Sequence, residues 1–71
     1  MTAPEPPAVV LRRAAERARR HSTTVRTTAA RTRALNLATR FDLEAARIER
    51  GDESNVTNAT AAARTFLRGS V

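Results

Sequence analysis

Apolar positions recur along this chain at helical spacing and never alternate as they would in a strand. At about 100° per residue, Leu11, Ala14, Ala15, Ala18, Ser22, Val25 and Ala29 fall on one stripe. Ala34, Leu37, Ala38, Phe41, Ala45 and Ile48 fall on another, about 160° away on a continuous helix. Either one long helix buries opposite faces at its two ends, or the helix breaks between Ser22 and Arg33. The run Thr23, Thr24, Thr27, Thr28 and Thr32 favours the break, because β-branched hydroxyl residues are weak helix formers and serviceable caps. From Ala8 to Arg50, and again from Asn55 to Arg68, there is neither Gly nor Pro. The chain therefore reads as all-α, with two to three helices.

Two helix ends are marked by chemistry. Arg47 and Arg50 precede Gly51, and Arg64 and Arg68 precede Gly69. Cations in a last turn suit the negative end of the helix dipole, and glycine takes the left-handed conformation after a helix at low cost. Asp52, Ser54 and Asn55 are available to cap the helix that follows. The expected architecture is a helical hairpin of about 34–50 and 54–68, closed by Gly51–Ser54 and preceded by a basic helix. Pro7 suits a first helical position. Residues 1–7, with three prolines, read as a disordered arm, and residues 8–71 as a single small helical domain.

Composition changes the picture in one respect. Of the 71 residues 41% are hydrophobic, but 15 of those are Ala, and Leu, Ile, Val and Phe together number only 13. So thin a core is expected to be completed by self-association or a partner. A third apolar strip, Leu35, Leu43 and Ala46, lies on the back of the second helix, away from the Phe41/Ile48 stripe. With Leu11 and Val25, Leu35 and Leu43 are the candidate oligomer or partner interface.

The charge is uneven. Residues 1–40 carry nine Arg against two acids, net +7, and residues 41–71 carry four Arg against five acids, net −1, giving +6 for the chain. No acid lies between Arg17 and Arg40. The nine arginines, Arg12, Arg13, Arg17, Arg19, Arg20, Arg26, Arg31, Arg33 and Arg40, are the candidate contacts to nucleic-acid phosphates or to an acidic partner. Interleaved hydroxyls at Ser22, Thr23, Thr24, Thr27 and Thr28 are further candidate phosphate donors. The bland alternative is a solvated face, with Glu16 pairing a nearby Arg and the Arg excess following a GC-rich coding bias. No Tyr or Trp is present to stack on single-stranded bases. A helix-turn-helix reading of 8–50 lacks the glycine such turns often carry.

Other chemistry finds little footing. There is no Cys and one His, so a metal site would rest on carboxylates alone, and none is expected. His21 has no orienting neighbour at a readable spacing. Asp42, Glu44, Glu49, Asp52 and Glu53 fit no ligand or acid–base pattern. Arg50-Gly51-Asp52 is a coincidence around a glycine with a structural task, and the sequons at Asn55 and Asn58 read as helix-surface residues. Two glycines exclude the usual phosphate-cradling loops. The expected protein is non-catalytic, without cofactor, membrane segment or small-molecule substrate, and cytoplasmic. Its leading role is regulatory contact with DNA or RNA, with oligomerisation through the hairpin. The alternative is an assembly component, adaptor or antitoxin-like antidote that binds an acidic protein.

Overall fold

The computed structural model describes residues 5–69, and every regular element in them is an α-helix: α1 (Pro7–Ser22), α2 (Thr28–Glu49) and α3 (Val56–Gly69). The all-α expectation holds. The arm expected over residues 1–7 lies partly outside the described residues. Within them, Pro7 is already the first residue of α1, where its missing N–H costs nothing.

The chain breaks where the threonines are, and each hydroxyl has a task there. Ser22 Oγ donates to the Arg19 carbonyl at 2.6 Å, Thr23 Oγ1 to Arg20 at 2.7 Å and Thr24 Oγ1 to His21 at 2.9 Å. Three successive side chains thus bond carbonyls of the last turn of α1, where Arg20 and His21 also accept from the Thr23, Thr24 and Val25 N–H groups as the helix closes. Thr27 then sits in an extended conformation, φ −105° and ψ 148°, and its Oγ1 accepts from the Ala30 N–H at 3.1 Å. This is an N-cap, and it starts α2 six residues before the expected position 34. Val25 consequently lies in the connecting segment, half-buried, and not on the α1 stripe.

The end of α2 follows the sequence closely. Gly51 has φ +97°, its N–H bonds the Ile48 carbonyl at 2.9 Å, and the Asp52 N–H reaches back to Arg47 at 2.9 Å. That pair of bonds is the Schellman termination, for which glycine is the low-cost residue. Gly69 differs: it is the last residue of α3 and has no positive φ, so it does not act as the expected left-handed stop. Asp52 Oδ1 accepts from the Ser54 N–H at 3.2 Å and from Ser54 Oγ at 2.8 Å, which shapes the turn into α3.

α1 and α2 are antiparallel, since Arg12 reaches Glu49 while Arg19, seven residues on, reaches Asp42, seven residues back. Their shared seam is Leu11, Ala14, Ala15 and Ala18 from α1 against Ala38, Phe41 and Ala45 from α2. Alanine lets two helices approach at the close end of the usual 8–10 Å range. Leu11 is the one large side chain with no exposure at all, so it belongs to the interior and not to an external interface. α3 contributes Ala59 and Ala63, with Phe66 and Leu67 packed beside them, and it lies more against α1 than against α2. Phe66 does meet Phe41, with ring centroids 5.7 Å apart at 52°. The closest helix pair is therefore α1–α2, and α3 folds back across it. Thr60 is buried on the inner face of α3, and its hydroxyl has no partner in the structure.

Stability measurements on three variants check this account. Leu11→Ala is expected to cost about 2–5 kcal/mol in urea denaturation, as for other fully buried leucines. Gly51→Ala is expected to cost about 1 kcal/mol through the positive φ alone, because open space surrounds its Cβ position. Gly69→Ala should be neutral or slightly stabilising.

Candidate nucleic-acid interface

The nine candidate arginines do not form one surface. The fold sorts them by what lies within reach. Arg12 bridges two acids of α2, at 2.6 Å to Glu49 and 3.5 Å to Asp42. Arg19 pairs with the other oxygen of Asp42. Arg13 pairs with Glu5, and Arg20 lies 3.9 Å from Glu16 one turn back. Arg17 is engaged as well. The arginines of α1 are thus largely occupied within the chain, and the acids that occupy Arg12 and Arg19 come from the acidic second half of the sequence.

Arg26, Arg31, Arg33 and Arg40 are different. All four are exposed, and none has an acidic partner within ion-pair distance among the described residues. Arg26 projects from the α1–α2 connection. Arg31 and Arg33 occupy the start of α2, whose first turn contains no acid. Arg40 lies seven residues beyond Arg33, hence within about 20° of it around the helix. The stretch of α2 from Thr28 to Arg40 therefore carries uncompensated positive charge, and the positive end of the helix dipole adds to it in the first turn. Arg50, Arg64 and Arg68 also lack an acidic partner among the described residues, but they belong to the α2–α3 turn and to α3.

The hydroxyls do not add to this surface in the expected way. Those of Ser22, Thr23 and Thr24 spend their protons on α1 carbonyls, and Thr27 accepts from a backbone N–H. Sequence reasoning missed this because capping and phosphate binding call for the same residues. It also missed the pairing that divides the arginines, although a signal existed: Arg12 and Arg19 are seven apart, as are Asp42 and Glu49, the match an antiparallel helix pair needs.

The candidate interface residues also separate. Leu11 is fully buried and Val25 half-buried in the connection. Leu35 and Leu43 are exposed, at 44% and 60%. A groove of about 550 Å³ runs between α2 and α3, lined by Leu37, Phe41, Ala59 and Phe66, with Arg40 and Glu44 at its rim. His21 is exposed in the last turn of α1. Among the described residues no group of three or more His, Cys, Asp or Glu is placed to hold a metal ion, and no helix is long and apolar enough to cross a membrane. The chain matches no protein-family model, no curated protein and no solved structure.

One carboxylate is perturbed. The hydrogen bonds from the Ser54 side chain and backbone, and then from Arg47, hold Asp52 below its ordinary value of 3.8. These bonds favour the charged form. The stabilisation they give is therefore complete above that ordinary value and is lost as pH falls through the lowered one. Acid titration should loosen the Gly51–Asn55 turn below about pH 4, and Asp52→Asn should remove that component. Amide exchange at Ser54 and Val56, followed between neutral and acidic pH, reads both effects.

Proposed function

We propose that this is a non-catalytic, arginine-rich helical protein that contacts the phosphates of a nucleic acid through the connection and α2 as far as Arg40. The observation that carries the reading is the sorting of charge. The acids of the chain neutralise α1 and leave Arg26, Arg31, Arg33 and Arg40 without partners on one helix end. Cations that are already paired gain little from a phosphate, because an existing attraction must first be given up. Unpaired guanidinium groups release condensed counterions from the nucleic acid, and this release drives binding.

Duplex is the favoured form. The aromatic residues are Phe41 and Phe66; Phe41 is buried, Phe66 is half-buried, and their rings pack on each other, so neither is an exposed platform for base stacking. Arginine also forms bidentate bonds to phosphate oxygens, which fixes position without reading sequence. The reading is one of affinity and placement, with no assignment of a preferred site. Docking of an acidic protein is the competing reading, favoured by the groove that Leu37, Phe41 and Phe66 line between α2 and α3.

Fluorescence anisotropy on a labelled duplex separates the two. Four phosphate contacts give a slope of log K against log salt of about −3.6, so affinity falls by about two orders of magnitude between roughly 50 and 200 mM salt. Charge reversal at Arg26, Arg33 and Arg40 should abolish binding, whereas Arg12→Gln should leave it nearly unchanged, because Arg12 is held by Glu49 and Asp42. Loss of binding on Arg12→Gln with circular dichroism unchanged, or no binding by the parent protein at low salt, would overturn the proposal.

A further inference from the structure

α3 is the least firmly held of the three helices. The α1–α2 pair is closed by the alanine seam with Leu11 and Phe41, and by the ion pairs of Arg12 and Arg19 with Asp42 and Glu49. To the core α3 adds two buried alanines, Ala59 and Ala63, and the half-buried Phe66 and Leu67. Small side chains remove little apolar surface from water, so their burial returns little free energy. The fit of α3 is also open on both flanks. The groove of about 550 Å³ runs along its side toward α2, and a second of about 350 Å³, lined by Val10, Arg64 and Leu67, runs along its side toward α1. Glu5 and Arg68 share that second groove, but the Glu5 carboxylate is already paired with Arg13.

Thr60 weakens the seat further. It is buried on the inner face of α3, and its hydroxyl has no hydrogen-bond partner. A buried polar group without a partner is costly, and the cost vanishes when water reaches it. Every residue of the turn into α3, from Gly51 to Asn55, is exposed. Nothing lies within 4 Å of the Gly51 Cβ position, and the Asp52–Ser54 bonds are internal to the turn. The Arg47–Asp52 pair that ties the turn to α2 is exposed, where such pairs hold little. The turn is therefore held by local bonds and not by packing.

We infer that α3 lifts off the α1–α2 pair as a unit, hinged at Gly51–Asn55, while α1 and α2 stay packed. Lifting separates the Phe41 and Phe66 rings, bares the apolar side of α3 and hydrates the Thr60 hydroxyl. The bared apolar surface is what returns α3 to its seat, and the orphan hydroxyl is what limits its hold. Openings of this kind involve contiguous cooperative units and take less free energy than global unfolding. Once lifted, a helix of 14 residues is marginal in water, so its amides exchange from the open state. The device resides in α3 and its seat, and it is independent of nucleic-acid contact by Arg26, Arg31, Arg33 and Arg40.

Native-state amide exchange on the full chain reads the opening. With intrinsic rates removed, the amides of Thr60, Ala63 and Phe66 should share one protection factor, about tenfold or more below that of Ala15 and Ala38. Thr60→Val keeps the side-chain shape and deletes the orphan hydroxyl, so it should slow the α3 amides by about tenfold. Leu43→Gly separates lifting from global unfolding. Leu43 is 60% exposed on the back of α2, and glycine there weakens the α2 helix itself. It should speed exchange in α1 and α2 by about fourfold and leave α3 unchanged, because α2 is intact both before and after α3 lifts. A single factor for all three helices in Leu43→Gly would show that α3 opens only with the whole molecule, and would overturn the inference. Protection that fades smoothly from Thr60 toward Gly69, the mark of a fraying end, would also overturn it, as would α3 rates untouched by Thr60→Val.

Discussion

The close approach of α1 to α2 is the constraint on which the rest of this small protein depends. It is made by alanines: Ala14, Ala15 and Ala18 on one side, Ala38 and Ala45 on the other, with Leu11 and Phe41 as the large side chains among them. A seam of small residues returns little hydrophobic free energy per residue, but it brings two long helices together with few voids. It also fixes their register, and register decides which charges meet. In the register observed, Arg12 and Arg19 fall opposite Glu49 and Asp42. Each exposed pair adds little by itself, about 0–1 kcal/mol. Together they mark out the antiparallel pairing and oppose a slip along the seam.

That pairing links the core to the surface chemistry. Once Asp42 and Glu49 of α2 are committed to α1, the excess positive charge has a place: the connection and α2 as far as Arg40. The formal charge of +6 is a property of the whole chain, yet the field is concentrated where no carboxylate is within reach. The helix end adds its own partial positive charge there. The α1–α2 connection completes the arrangement. Its hydroxyls are consumed in closing one helix and opening the next, and the threonines hold the backbone from which Arg26 projects.

The same helix carries the exposed leucines on the side that α1 and α3 leave bare. A short chain with a thin core often leaves such a surface, because three helices of this length cannot cover one another completely.

The sequence alone determined the secondary structure to a considerable depth. Helical periodicity, the threonine break, Pro7 at a helix start and the Gly51 stop were all legible, because each acts within a few residues of itself in the chain. The exposed leucines on the back of α2 were legible for the same reason. Where α2 begins was not, because Thr23, Thr24, Thr27 and Thr28 are similar as caps and only backbone geometry selects Thr27. The burial of Leu11, the displacement of Val25 into the connection and the leaning of α3 toward α1 required the packed molecule. So did the division of the arginines. Nine cations along a chain look alike in one dimension. The distances that neutralise some and spare others arise only when α1 and α2 lie side by side, since Coulomb attraction depends on separation in space and not on position in the chain.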